Sequence, residues 1–310
     1  MRSSALRPPR RSRLTPLARR EALVFYLCIS PWLIGLLVFM IYPIFRSLYL
    51  AFTRYQIGHD PVWIGLDNFR RLLDDALFWK SLGVTVQYVI GSVPGSNLVA
   101  LGVALLLAQK IRGVGVWRTI YFLPSVVSIV AVSVMWYYVF NPQYGIVNGL
   151  LEMIGIDGPG WYTSETWAMP TIILISWWMV GTQVVIYLAG LKGIPQEYYE
   201  AVEVDGGGVW SKFRHITLPL LSPVIFFNVI NGFIGAFQVF DQAFILGAGS
   251  GRPNNATLTY MLNLYKQAFE YGAMGYASSL AWVLFVIIMI LTMFILRSSS
   301  VWVYYEAERK

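Results

Sequence analysis

Apolar residues in this chain gather in long runs without charge and without strict alternation. They cover residues 22–45, 81–109, 119–139, 166–191, 215–240 and 271–296. A helix rises about 1.5 Å per residue, so about 20 residues cross the hydrocarbon of a bilayer. Each run reaches that length. Continuous apolarity suits helices that satisfy their own backbone, whereas barrel strands would alternate. The pattern predicts an all-α polytopic membrane protein with six transmembrane helices. It also predicts a short amphipathic helix over 69–77, and an interfacial aromatic belt from Trp161, Tyr162 and Trp167 in the 141–169 loop. The domain reading is a basic arm over 1–21, a membrane domain over 22–297 and a tail over 298–310.

Composition sharpens the assignment. Hydrophobic residues make up 57% of the 310 and charged residues 13%, about half the charge that a water-facing domain carries. A net charge of +7 raises the question of nucleic acid, but the positives cluster at span ends, as membrane topology requires. One side collects Arg2, Arg7, Arg10, Arg11, Arg13, Arg19, Arg20, Lys110, Arg112, Arg118, Lys192, Lys212, Arg214, Arg297, Arg309 and Lys310. The other has Arg46, Arg54, Arg70, Arg71, Lys80, Arg252 and Lys266. The positive-inside bias therefore places both termini in the cytoplasm. The first apolar run is too long for a cleaved signal and stays as a helix. Cys28, the single cysteine, excludes an internal disulfide and a cysteine metal cluster, and in an apolar run it reads as a small buried thiol. His59 and His215 have no ligand spacing.

Polar residues inside spans cost free energy and mark candidate functional positions. In the fifth span Asn228, Asn231, Gly235 and Gln238 fall within about 80° of one another on a helix, an arc that also takes in Gln242, with Asp241 at its outward end. In the fourth, Ser176, Gln183 and Tyr187 share a face, with Trp177 and Trp178 towards its outward end. Amides, hydroxyls and aromatic faces suit a small polyhydroxylated solute. Interhelical hydrogen bonding is the competing explanation. Gly91 and Gly95 form a GxxxG pair that predicts close helix packing. Prolines 31, 43, 94, 124 and 223 fall inside spans, where neighbouring helices resatisfy the freed carbonyls.

The loop over 192–219 differs in kind from the other short loop on its side. Pro195 suits a first helical position, Glu197, Glu200 and Glu203 follow it towards the positive end of a helix dipole, and Gly206 suits a helix stop. A second short segment over 209–216 leads into Thr217-Leu218-Pro219. Two short helices joined by glycines predict a protrusion that a neighbouring protein can grip.

The residues of this loop carry a resemblance. Glu200-Ala201-Val202, then Asp205 and Gly206, then Ile216, Leu218 and Pro219 resemble the EAA loop of ATP-binding-cassette (ABC) importer permeases. Val202 replaces the second alanine of that pattern. Trp63-Ile64-Gly65-Leu66-Asp67-Asn68-Phe69, Trp117-Arg118-Thr119-Ile120-Tyr121-Phe122-Leu123-Pro124 and Phe140-Asn141-Pro142-Gln143-Tyr144-Gly145 are similar to segments of the carbohydrate-uptake branch, in the class of the larger maltose permease subunit. The resemblance covers all but about the first 20 residues. It implies a type I ABC importer permease fold in a bacterial or archaeal plasma membrane. The implied partners are a second permease subunit, two copies of a cytoplasmic ABC ATPase and an extracytoplasmic solute-binding protein. Residues 196–206 become the coupling helix, and Glu200 faces a basic group of the ATPase. Within the family the fourth and fifth spans of this subunit bind sugar, which agrees with Trp177, Trp178, Gln183, Asn228, Asn231, Gln238 and Asp241 as pathway candidates.

The chain contains no Gly-Lys dipeptide and therefore no phosphate-binding P-loop, so nucleotide hydrolysis is expected from a separate subunit and no cofactor or metal is called for. A secondary transporter of a small polar solute and a membrane-embedded transferase are the rival classes. Neither accounts for the loop over 192–219. For the second rival, Asp74-Asp75 is the nearest approach to a carboxylate pair, and it reads as a solvated helix face.

Overall fold

The computed structural model describes residues 15–109 and 112–304. Much of the basic arm, Lys110 and the tail charges Arg309 and Lys310 lie outside the described residues. Helix α1, Pro16–Ala51, opens on a Thr15 cap whose Oγ1 accepts from the Ala18 amide at 3.3 Å. It loosens into a wide turn at Leu37–Ile41, immediately before Pro43, which has no amide to donate. A two-residue hairpin pairs Thr53 with Trp63 and Arg54 with Val62. Then follow α2, Asp67–Asp74; α3, Ala76–Ala108; α4, Val114–Val126; α5, Ile129–Val139; α6, Ile146–Met153; α7, Glu165–Trp178; α8, Gly181–Gly193; and α9, Gln196–Val204. The last four are α10, residues 209–237; α11, Asp241–Leu246; α12, Tyr260–Tyr265; and α13, Met274–Trp302.

Four continuous helical stretches have the length and apolarity to cross a membrane: Pro16–Ala51, Ala76–Ala108, Val209–Leu246 and Met274–Trp302. Two pairs pass only together. The axes of α4 and α5 meet at 100°, and those of α7 and α8 at 44°. The third and fourth apolar runs are therefore broken where an uninterrupted helix is predicted. Pro124 removes a backbone donor in the last turn of α4, and Val127 is already extended. The fourth run breaks at Met179 and Val180, directly after two adjacent tryptophans.

Helix α3 forms the spine, packed along α7, α8 and α10. Gly91 and Gly95 make this possible. A methyl at Gly91 would lie 2.6 Å from the Ile173 side chain, and one at Gly95 would overlap the Trp177 indole. The predicted close approach is thus an accommodation of large side chains from α7. The Trp177 Nε1 donates to the Gly91 carbonyl at 3.1 Å, which fixes the crossing. The second half of α1 runs along α13, and α11 closes against α5.

The outer loops dock by specific hydrogen bonds. Asn68, buried on α2, donates to the carbonyls of Ala51 and Thr53, both at 2.9 Å. The predicted 69–77 helix ends early because Asp75 turns to cap α3, accepting from the Leu77 amide at 2.8 Å. The other oxygen of Asp75 accepts from the Tyr276 hydroxyl at 2.6 Å. Asp75 is therefore a structural cap, and Asp74-Asp75 does not act as a carboxylate pair. The Tyr260 amide donates to Thr85 Oγ1 at 2.8 Å, tying α12 to α3.

Two further expectations fail for physical reasons. Trp161 and Tyr162 are buried and form no interfacial belt. Trp161 donates to Asn148 Oδ1 at 2.6 Å, and the Tyr162 hydroxyl accepts from Asn141 at 3.0 Å, so the polar tips find partners inside the loop. Cys28 is exposed. It lies on Pro16–Leu36, which has no buried residue, because this half of α1 leaves the bundle.

Candidate functional site

The first candidate region is the 192–219 loop. Helix α9 starts one residue after Pro195, whose extended backbone makes it the cap instead of the first helical residue. Its end is sharply determined. Gly206 lies in the left-handed region at φ +79°; its amide donates to Glu203 O at 3.0 Å, and the Gly207 amide donates to Val202 O at 2.8 Å. These are the paired bonds of a Schellman turn, which favours glycine at that position. Gly207 is equally constrained, since a methyl there would meet Val202 Cγ1 at 2.5 Å.

After the turn the chain does not form a separate second helix. The predicted 209–216 segment begins at Val209, passes a wide turn at Phe213–Thr217 and continues into α10. Helix α9 folds back on this start. Glu203 pairs with Lys212, and the Tyr199 and Thr217 hydroxyls lie 3.1 Å apart. Asp205 caps the C-terminus of α9, while Glu200 and Ala201 are exposed on it. Glu200 forms no ion pair among the described residues. Ile216 is half-buried, and Leu218 and Pro219 begin the long helix, so the pattern ends where the protrusion joins the bundle. Val204, Val209 and Trp210 are among the most exposed large apolar residues of the chain. Beside them a groove of about 650 Å³ runs between Leu105 of α3 and Gln109 just past its end on one side and Tyr199, Trp210 and Phe213 on the other. The loop thus places an exposed carboxylate, exposed apolar side chains and a groove side by side.

The second region is a polar cavity of about 380 Å³. Tyr88, Ser92 and Ser96 come from α3, Ser176 from α7, and Thr182 and Gln183 from α8. Gln238, Asp241 and Gln242 close it from the break between α10 and α11. Of the pathway candidates named from sequence, the cavity gathers Gln183, Gln238 and Asp241, and it also takes in Ser176, Gly235 and Gln242 from the same predicted faces. Trp177 is occupied against α3. Trp178 stands edge-on to Trp136, with centroids 5.5 Å apart.

The fifth-span arc divides in two. Asn228 is buried, whereas Asn231, Gly235 and Gln238 are exposed, and Gly235 and Gln238 border the polar cavity. The exposed amides bond only backwards along the helix, Asn231 to Phe227 O at 2.8 Å and Gln238 to Ile234 O at 3.1 Å. Tyr187 donates to Asn97 Oδ1 at 2.7 Å in a buried seam, so its role is interhelical. Among the described residues, Gln183 Oε1 and Asn228 Nδ2 are buried without a hydrogen-bond partner.

The reading from sequence missed the α3 contribution. Tyr88, Ser92 and Ser96 recur every four residues, a polar stripe on the helix that also carries Gly91 and Gly95.

Residues 97–303 match the family described as binding-protein-dependent transport system inner membrane component. The chain is 43% identical over 295 residues to the Probable ABC transporter permease protein YesP of Bacillus subtilis (strain 168), covering 94% of this chain and 95% of that one. It is 37% identical to the lactose transport system permease protein LacF of Rhizobium radiobacter, covering 86% and 91%. In fold it resembles a chain of a bacterial alginate ABC transporter crystallised with an alginate pentasaccharide-bound periplasmic protein. The TM-score is 0.80 at 23% identity, with 90% and 95% covered. The chain belongs to the family of binding-protein-dependent transport system inner membrane components, as a multi-pass permease subunit of an ABC importer whose ATP hydrolysis resides in separate ATPase subunits.

Proposed function

We infer that this permease carries a sugar or related polyhydroxylated solute across a bacterial or archaeal plasma membrane, with six spans and both termini in the cytoplasm. The two bent helix pairs each count as one span in this reading. The observation that carries it is the exposed α9 protrusion, built on the Glu200-Ala201-Val202 to Pro219 pattern and placed on the side richest in arginine and lysine. Residues 196–206 act as the coupling helix. Glu200 meets a cationic group of an ATPase, one of two copies, and the exposed Val204 and Trp210 extend that contact.

A second permease completes the pathway. Two features support this. Asn231 and Gln238 are exposed amides on the helix that borders the polar cavity, an exposure that lipid would penalise and a shared aqueous pathway would not. Pro16–Leu36 has no buried residue and is apolar beyond Glu21, so it is free to lie along another subunit. A solute-binding protein delivers solute at the opposite face, and ATP binding favours one permease arrangement over the other. The names of relatives, lactose for LacF and trehalose/maltose for the permease MalF of Thermococcus litoralis, support the solute class.

Solute-dependent thermal stabilisation of the binding protein encoded beside this permease identifies the solute. Uptake of that solute by the reconstituted complex, abolished when the ATPase subunits are left out, tests the whole reading. ATP-independent uptake by the chain alone would establish the secondary-transporter alternative. Asn231→Leu and Gln238→Leu should each shift selectivity among related sugars by about tenfold, the order of one lost hydrogen bond to solute. Competition between labelled sugars in proteoliposomes measures it, and unchanged ratios return both amides to a structural role.

A further inference from the structure

A cavity of about 470 Å³ lies between α3, α4 and α8, separate from the polar cavity and from the α9 groove. Its walls are apolar, formed by Leu107, Phe122, Val184 and Leu188, and two cations share its lining, Arg118 and Lys192. No carboxylate lines it. Among the described residues neither cation joins an ion pair. The guanidinium of Arg118 reaches the Leu107 carbonyl only at 3.4 Å, and its Nε is buried with no hydrogen-bond partner. A buried guanidinium nitrogen without a partner is costly, and the forked donors match the paired oxygens of a phosphate or a carboxylate.

A cavity of this kind selects an amphiphile. The apolar walls take a hydrocarbon chain, and the two cations take an anionic head. Both cations belong to the positively biased side of the protein, the level at which the cytoplasmic leaflet presents its headgroups. A sugar would leave its hydroxyls unpaired against these walls. We propose that this cavity binds an anionic phospholipid of the cytoplasmic leaflet, with the phosphodiester held between Arg118 and Lys192 and an acyl chain along Phe122, Val184 and Leu188. The reading goes beyond the transport assignment and does not depend on which solute is carried.

The test uses the assembled importer, reconstituted in nanodiscs containing phosphatidylglycerol and phosphatidylcholine, extracted into mild detergent and weighed by native mass spectrometry. Retained phosphatidylglycerol is expected on the wild-type complex. Arg118→Gln with Lys192→Gln should lower retention about tenfold or more, in line with two cations near a lipid headgroup, whereas Arg19→Gln with Arg20→Gln removes the same charge without loss. Val185→Trp, which obstructs the groove and spares both cations, should also lower retention and carries the test if the charge variant fails to assemble. Inorganic phosphate at millimolar concentration should not displace the lipid; displacement would assign the site to free phosphate. Equal retention by wild type, the double variant and Val185→Trp would overturn the proposal. So would a Val185→Cys crosslink to the second permease in place of lipid labelling.

Discussion

Replacing Gly206 by valine is expected to abolish ATP-driven solute uptake while membrane insertion and abundance stay at wild-type levels. The residue holds φ +79° in the turn that ends α9. A β-branched side chain is a steric outlier there, at about 1–2 kcal/mol or more. Displacing the turn also endangers the two bonds from Gly206 and Gly207 to Glu203 and Val202, at about 1 kcal/mol each. The sum, about 3 kcal/mol, lowers the population of the native turn by roughly a hundredfold. Little apolar burial depends on this segment, since α9 has no buried residue, so the defect is confined to transmission. Proteoliposomes should then show ATPase activity no longer stimulated by loaded binding protein. Glu200→Gln, which removes one exposed charge and leaves the turn intact, should give the same phenotype in milder form. Full uptake by Gly206→Val would remove the loop from the mechanism.

The parts of the molecule legible in sequence are those governed by local rules. Apolar runs located the membrane segments because the requirement for internal backbone hydrogen bonding acts on each run separately. The α9 stop was readable because a left-handed turn favours glycine wherever it occurs. What escaped depends on partners distant along the chain. The breaks at Val127 and Met179 are compatible with apolar runs of unchanged composition, so hydropathy alone does not register them. Asp75 read as part of a solvated helix face, and only the arrival of Tyr276 from the last helix reveals a cap with a second partner. The fifth-span arc assumed one unbroken helix, whereas α10 ends at Phe237 and Asp241 and Gln242 belong to α11, and the amides that remain divide between buried Asn228 and exposed Asn231. Cys28 was misjudged for a related reason. Apolar character predicts removal from water, and in a membrane protein that does not mean burial within the same chain.

The second large effect is expected at Gly95, and it separates packing from solute contact. Gly95→Ala should destabilise the purified complex by about 1–3 kcal/mol, the usual range for overpacking, because the added methyl would overlap the Trp177 indole. The indole cannot retreat without releasing its bond to the Gly91 carbonyl. Gly102 is the internal control on the same helix. A methyl there meets nothing within 4 Å in this chain, so Gly102→Ala should be neutral or stabilising through helix propensity, by up to about 1 kcal/mol. Trp177→Ala alone should cost about 3–5 kcal/mol for the lost aromatic. Combined with Gly95→Ala it should cost no more than that, since the space the methyl needs is then vacant. Thermal unfolding of the four variants, two single helix changes, the tryptophan truncation and the double, measures the coupling directly. Strict additivity between positions 95 and 177 would mean that the two do not touch, and would return Trp177 to the set of residues available to the solute.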